Sequence, residues 1–472
     1  GPAEIAPMWT RRSDTLSRRD FLATAATVAM AGRGAGTNAS REEGRERPVP
    51  SPPQLRWQRD ERALFIHFGM NTFTGREWGD GTEDPALFAP EALDARQWAR
   101  AARAGGFRAM ILTAKHHDGF CLWPSRTTDH TVAASPWRGG EGDVVREFVD
   151  ACRAEGLRAG LYLSPWDRHE PTYGDSPRYD DVYCDQLREL LTGYGSIHEV
   201  WFDGAHGDGP GGRRQAYDWP RYWGLVRQLQ PGAVIFSDAG PDVRWIGNER
   251  GVAGETNWST VDPAAVPFPG ATGPGVTEML QHGDPNGTVW RPGETDVSIR
   301  PGWFHHPDQD GRVRATDDLV ELVFTSVGRN SKLLLNVPPT PRGLLHPTDV
   351  ARLRALRDRL DTIFAEDLAA TGRSRWRPGA AGGGPAVAEV DPGRSVTVSV
   401  ADLREDITRG QAVARYTLEG LDEATGWQVL SRGTTIGYRK LDRFAPTTLR
   451  RARLRVESRV GPPGPVRIGL YR

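Results

Sequence analysis

Glu199-Val200-Trp201-Phe202-Asp203-Gly204 is an apolar run that ends on a carboxylate and a glycine. So short a run, rich in aromatic and β-branched residues and closed by glycine, predicts a buried β-strand. Asp203 then stands at a strand end. Two readings of that place compete: the N-cap of a following helix, a position Asp favours, and a reactive group facing a pocket. The neighbouring segments decide between them.

Outward from this run, short β-rich segments alternate with amphipathic stretches. Strands are expected at about 64–69, 109–115, 159–165, 198–203, 233–238, 244–249, 297–300 and 333–337. Helices are expected at about 95–105, 143–155, 179–194, 218–230 and 316–329, with apolar residues at helical spacing such as Val182, Leu187, Leu190 and Leu191. This alternation predicts parallel strands with helical crossovers. Eight strands predict an α/β fold, a (β/α)8-like (TIM) barrel, with irregular later units because the region after strand six is mostly Gly- and Pro-rich loop.

In such a barrel the chemistry gathers at the C-terminal strand ends. Those ends read His67-Phe68-Gly69, Lys115-His116-His117-Asp118-Gly119-Phe120, Ser164-Pro165-Trp166-Asp167, Trp201-Phe202-Asp203, Ser237-Asp238, Asn248-Glu249 and Arg300-Pro301-Gly302-Trp303. Polar and aromatic residues therefore fall where a barrel would use them.

From about residue 366 the texture changes. A Gly-rich segment, Gly379 to Pro385, precedes alternating runs such as Ser395-Val396-Thr397-Val398-Ser399-Val400 and Val466-Arg467-Ile468-Gly469-Leu470-Tyr471. Period-two alternation predicts an antiparallel β-sandwich. The expected domains are thus 1–50, a signal and linker; 55–365, a catalytic barrel; and 366–472, a β-sandwich.

In the first of these, Ser17-Arg18-Arg19-Asp20-Phe21-Leu22 leads an Ala-rich run over 23–31 and resembles a twin-arginine export signal. Residues 36–55 read as a linker. The expectation is a secreted or periplasmic protein exported in folded form. After removal of the signal no membrane insertion is expected, since no other apolar stretch is long enough to span a bilayer.

The net charge of −1 and pI of about 6.9 supply no basic field for nucleic acid. Three widely spaced cysteines, Cys121, Cys152 and Cys184, form neither a disulfide framework nor a metal pair and are expected as buried free thiols. Sixteen tryptophans suit both core packing and the flat apolar walls of sugar-binding clefts.

Two carboxylates on neighbouring strand ends are the minimum for glycosidic bond cleavage, and a retaining pair stands about 5–5.5 Å apart. Asp203 is the candidate nucleophile. Glu249, Glu255 and Glu294 are the candidate acid/bases; a proton donor needs a raised pKa, which burial beside aromatic rings supplies. His116 and His117, as neighbours on an extended strand, are expected on opposite faces, and no second His pair at ligand spacing exists. No metal and no cofactor are therefore expected, and neutral imidazoles holding sugar hydroxyls fit better. Gly204-Ala205-His206-Gly207-Asp208-Gly209 lacks the Lys-Ser/Thr pair of a phosphate loop.

Taken together, His67-Phe68-Gly69, Glu77-Trp78, Lys115 to Phe120, Trp201 to Gly204 and Leu334-Leu335-Asn336-Val337-Pro338-Pro339 resemble the retaining α-L-fucosidases of glycoside hydrolase family 29 from about residue 55 onward. The resemblance implies that Asp203 attacks C1 of L-fucose while His67, His116, His117, Glu77 and Trp78 hold the sugar hydroxyls. It also implies a pocket shaped by Trp201 with Tyr162 or Trp166. Trp245-Ile246-Gly247-Asn248-Glu249 and the run from Glu294 to Trp303 and Phe304 resemble the subgroup acting on α-1,3/1,4-linked fucose of branched, Lewis-type glycans. In that subgroup the Glu after Asn is the acid/base, which implies Glu249, with Glu294 and Trp303 as substrate-binding residues. The partners so implied are fucosylated oligosaccharides or glycoconjugates. The competing readings are a barrel glycosidase for another sugar, such as an α-galactoside, and a catalytically inactive fucose-binding protein.

Overall fold

The structure, a computed structural model, describes residues 47–379 and 384–472. The export-signal reading falls outside the described residues. Strands β1 (Arg62–Ile66), β2 (Ala109–Lys115), β3 (Arg158–Leu163), β4 (Glu199–Trp201), β5 (Val234–Ser237), β6 (Val243–Trp245), β7 (Gly293–Ser298) and β8 (Ser331–Asn336) pair in parallel in chain order, and β8 pairs back onto β1. The ring is a closed barrel, as expected.

The opening hexapeptide shows why these residues make a barrel wall. Val200 and Phe202 point outward into the core shared with the helices, while Trp201 points into the barrel. Side chains alternate along a strand, so Glu199, Trp201 and Asp203 rise in steps up the barrel interior. The same parity sends Ala63 and Phe65 inward and Leu64 and Ile66 outward on β1. With both faces covered, a parallel strand reads as a continuous apolar run.

The α-helices among the described residues are α1 (Pro52–Asp60), α2 (Met70–Thr74), α3 (Ala95–Ala104), α4 (Val144–Ala154), α5 (Ser176–Gly193), α6 (Trp219–Leu229), α7 (Pro274–His282), α8 (Thr316–Thr325) and α9 (Pro347–Ile363), of which α1 precedes the barrel strands and α9 follows them. Asp94, Asp143 and Asp218 cap α3, α4 and α6, each accepting from a backbone N–H three residues on at 2.8–3.1 Å. Asp218, and not Asp203, caps the helix that follows β4. That removes the capping reading of Asp203.

The C-terminal strands β9 (Arg373–Arg377), β10 (Ala386–Asp391), β11 (Val396–Glu405), β12 (Val413–Asp422), β13 (Gly426–Gly433), β14 (Lys440–Leu449), β15 (Arg451–Arg459) and β16 (Val466–Tyr471) form two antiparallel sheets, ordered β9-β10-β15-β12-β13 and β14-β11-β16. Their facing sides share one core, with Val398 and Leu470 from one sheet and Leu418 and Leu454 from the other. A buried amide knot ties this sandwich to the barrel: Asn330 Nδ2 donates to Asn257 O at 2.9 Å, Gln411 Nε2 to the same oxygen at 3.1 Å, and Ser259 N–H to Gln411 Oε1 at 2.8 Å.

Three expectations shift. Strand seven begins at Gly293, not near 297, because Glu294 and Asp296 weaken its β signal, while inside the barrel both are paired with indole N–H groups. Strand six stops at Trp245, ahead of Gly247 at φ 92°. The end of the linker reading over 36–55 is helical: Ser51 caps α1, with Gln54 N–H donating to Ser51 Oγ at 3.4 Å and Ser51 N–H to Gln54 Oε1 at 2.9 Å.

Candidate active site

Asp203 sits at the top of the inward series on β4 and is 4% exposed. Its Oδ1 accepts from Ala205 N–H at 2.8 Å and its Oδ2 from Tyr162 Oη–H at 3.0 Å, so both oxygens are oriented from the protein side. Gly204 is needed beside it, since a Cβ there would stand 2.5 Å from Asp238 Oδ2 and 2.9 Å from Gly270 N.

Below the carboxylate the barrel is filled with rings. Trp201 stacks on Phe236 at 4.0 Å with planes 8° apart, and on Tyr162 at 5.4 Å with planes 24° apart. The Trp201 indole N–H donates to Glu294 Oε1 at 2.8 Å. Tyr162 and Trp201 therefore floor the pocket, and Tyr162 also touches Asp203.

The histidines converge from β1 and β2. The pair His116 and His117 corrects the opposite-faces expectation: β2 is bulged between Thr113 and Lys115, and a turn closes with Gly119 N–H on His116 O at 3.0 Å. The two rings end 4.1 Å apart, His116 stacks on Tyr162 with planes 10° apart, and His117 Nε2 lies 4.0 Å from Asp203 Oδ2.

Hydrogen-bond chains assign the ring tautomers. Ser164 Oγ donates to Trp166 O at 2.6 Å, so it must accept at its 2.7 Å contact with His117 Nδ1. Asn336 Nδ2 donates to Trp303 O, so Asn336 Oδ1 accepts from His67 Nδ1 at 2.8 Å. In neutral rings Nε2 is then the acceptor nitrogen of both, matched to a hydroxyl donor.

Trp78 and Trp166 form one wall, edge to face at 5.4 Å, with Trp166 tilted against His117 at 4.9 Å. Trp303 lies 5.2 Å from His67 on the other side. Glu77 ties these walls together: its carboxylate accepts from Trp303 N–H at 2.9 Å, Phe304 N–H at 3.4 Å and His306 Nε2 at 2.6 Å. The Glu77 hydrogen bond raises the His306 pKa above its ordinary value.

Behind β2, Lys115 is fully buried, 2.9 Å from both Asp167 Oδ2 and Gln186 Oε1. Burial opposes ionisation of Asp167, but the ammonium outweighs it and holds the carboxyl below its usual value. Lys115→Met strands that carboxylate. The expected cost is about 3–5 kcal/mol, read as a lower urea midpoint at unchanged slope. Asp118, next to His117 in sequence, is pushed up to about 7, first by burial and further by the nearby Glu83 carboxylate.

The three candidate acids separate. Glu294 is a correction: it lies at the start of β7, fully buried in the lowest barrel layer beside Glu199 and Lys332, and is not presented at the strand end. Burial and the Glu199 carboxylate push it well above the usual range. Glu255 is 80% exposed in its side chain and faces Arg329 at 3.5 Å, against the sandwich. Glu249 is half-buried, four residues past the end of β6, in a turn fixed by Asn248, whose Oδ1 accepts from Arg250 N–H at 3.0 Å.

The sequence places Asp238 at a strand end without marking it as a candidate, and puts Asp296 ahead of the expected start of strand seven. Asp296 stands in the middle layer, 1% exposed, accepting from Trp245 Nε1 at 2.7 Å, and Asp238 stands at the top of β5 against Gly204. Phe304, edge-on to His67 at 5.4 Å and to His116 at 5.1 Å, was also missed as a wall residue. Inward parity would have marked Asp238 and Asp296, once the register of β7 was known.

A parallel barrel with carboxylates, imidazoles and indole walls at its strand ends is the architecture of a glycoside hydrolase. A family model described as alpha-L-fucosidase matches residues 56–362. The chain belongs to the α-L-fucosidase family, and its activity is that of an α-L-fucosidase. A rice protein (Oryza sativa subsp. japonica) is 48% identical over 422 residues, covering 84% of this chain and 80% of its own. Alpha-L-fucosidase 1 of Arabidopsis thaliana is 43% identical over 425 residues, covering 84% of this chain and 82% of its own. Among solved structures, SpGH29 superposes with a TM-score of 0.84 at 39% identity, over 90% of this chain and 98% of that one. A Ruminococcus gnavus GH29 fucosidase in complex with fucose superposes with a TM-score of 0.81 at 30% identity, over 92% and 97%.

Proposed function

We propose that the protein is a retaining exo-α-L-fucosidase that removes terminal α-1,3/1,4-linked L-fucose from branched, Lewis-type glycans. The observation that carries the mechanism is Asp203, its carboxylate oriented by Tyr162 and Ala205 and faced by His117 at the top of the barrel. Asp203 attacks C1 as Glu249 protonates the leaving oxygen, giving a fucosyl-enzyme ester. Glu249 then takes a proton from water, which attacks C1 and releases Asp203. Support for Glu249 comes from the placement of its rivals, Glu294 sealed inside the barrel and Glu255 against the sandwich.

In this reading His67, His116 and His117 accept from sugar hydroxyls through ring nitrogens. Glu77 fixes the loops that carry Trp78 and Trp303, while Trp78 and Trp166 pack against the apolar face of the sugar. Tyr162 and Trp201 set the pocket depth. Export in folded form belongs to the same proposal, since Cys121, Cys152 and Cys184 are all buried free thiols.

NMR of a Lewis-type trisaccharide during hydrolysis tests retention and linkage together. The first fucose to appear is expected as the α anomer, with 2′-fucosyllactose cleaved far more slowly under the same conditions. Initial release of β-fucose would overturn the retaining mechanism, and equal rates on both sugars would overturn the linkage assignment.

A further inference from the structure

On the far side of the barrel from Asp203, a cleft of about 590 Å³ opens in the seam between barrel and sandwich. It lies beside Arg329, just before β8, whose six residues at about 3.3 Å rise put roughly 17 Å between this level and the pocket end of the strand. Its volume is in the range of small-molecule sites.

The lining carries five cationic side chains against four carboxylates. Three pairs close on themselves: Arg329 with Glu255 at 3.5 Å, Arg415 with Glu457 at 3.6 Å, and Arg443 with Glu321 at 2.5 Å. The fourth carboxylate, Asp442, accepts from Tyr416 Oη–H and Ser431 Oγ–H, both at 2.7 Å at the same oxygen.

What is left over is Lys440 and Arg432 against the single carboxylate of Asp442, a net positive balance. Lys440 is 8% exposed and, among the described residues, has neither a hydrogen bond nor an ion pair for its ammonium. Arg432, exposed on the rim, likewise has no ion pair. The Lys440 side chain is nine-tenths buried and its ammonium, unpaired by any carboxylate at contact distance, lines the cleft, where an anionic group could meet it. Burial lowers the Lys440 pKa below its ordinary value despite the pull of Asp442 and Glu255, with Arg329 adding repulsion.

We propose that this cleft is an accessory binding site for an oxyanion-bearing ligand, a carboxylate, sulfate or phosphate group, with Lys440 as the anchoring cation and Arg432 at the rim. Tyr416 and the ring of Phe324, which carries Arg443 at 3.4 Å, supply apolar surface for whatever bears the anion. The site is separate from fucose hydrolysis and stands whether or not Asp203 is the nucleophile.

Calorimetric titration of the whole protein at constant ionic strength, with sulfate, phosphate and glucuronate in turn and glucose as the neutral control, tests it. One saturable site is expected for at least one of the three anions, weakened tenfold or more in Lys440→Met and severalfold in Arg432→Ala. Lys440→Met should unfold at close to the wild-type temperature, because no hydrogen bond or ion pair of the fold is lost with the ammonium. Hydrolysis of an aryl α-L-fucoside should stay within twofold. Tighter glucuronate than sulfate or phosphate identifies an acidic sugar as the ligand class; the reverse identifies a free inorganic anion. Absence of saturable binding for all three anions, or equal binding by Lys440→Met, would overturn the site.

Discussion

Asp203→Ala is expected to lower kcat on an aryl α-L-fucoside by at least about ten-thousandfold, roughly 5.5 kcal/mol of transition-state stabilisation. The reason is positional. The carboxylate is held by two hydrogen bonds, at 2.8 Å and 3.0 Å, on top of a ring layer that cannot shift without repacking Trp201, Phe236 and Tyr162. Shortening the side chain leaves a slot that water does not fill as a nucleophile, while the rest of the pocket still binds the sugar. Azide, small and anionic, should enter that slot and restore turnover, giving the fucosyl azide of opposite anomeric configuration by a single displacement. Near-normal turnover in Asp203→Ala would sink the nucleophile assignment. Loss of activity together with loss of cooperative unfolding would instead show damage to the fold, so the variant's urea transition is recorded beside its kinetics.

Glu249→Ala should show a different signature. A general acid contributes about 100- to 10,000-fold where the leaving oxygen needs a proton. The loss is therefore expected near the upper part of that range for a Lewis-type trisaccharide and only about tenfold for a nitrophenyl fucoside, whose leaving group departs without help. Azide should raise the aryl fucoside rate of this variant too, by replacing water in the second step, and here the product keeps the configuration of the substrate. Had Glu294 been the acid, Glu294→Gln would show the leaving-group pattern. From its place under Trp201 it is expected to affect both substrates alike, because it changes the support of Trp201 and transfers no proton to the leaving group. A leaving-group dependence in Glu294→Gln, with none in Glu249→Ala, would reverse the assignment.

Much of the barrel was legible because both faces of a parallel strand are buried, which writes a strand as a largely apolar run such as Ala109 to Leu112. The same local signal carried Asp203 to a strand end. It failed where the barrel interior is polar: β7 reads Gly-Glu-Thr-Asp-Val-Ser from Gly293, a poor strand by composition, whose acids are met inside the barrel by the indole N–H groups of Trp201 and Trp245. Helix α1 was lost to its prolines and charges, although Ser51 and Gln54 spell a capping box and Trp57 reaches Glu199 inside the barrel at 2.9 Å.

The amino-acid sequence by itself determined the strand and helix alternation, the residues offered at the strand ends and the family to which they belong, since these rest on local periodicity and on side-chain identity. Only the tertiary structure decided which of those residues meet. A bulge and a turn after β2 bring His116 and His117 to one side, and a two-residue parity places Glu199, Trp201 and Asp203 at three depths. The register of β7 against β8 sets Glu294 beside Lys332 at the bottom. Depth and facing depend on register between strands far apart in the chain, and a one-residue slip would invert them.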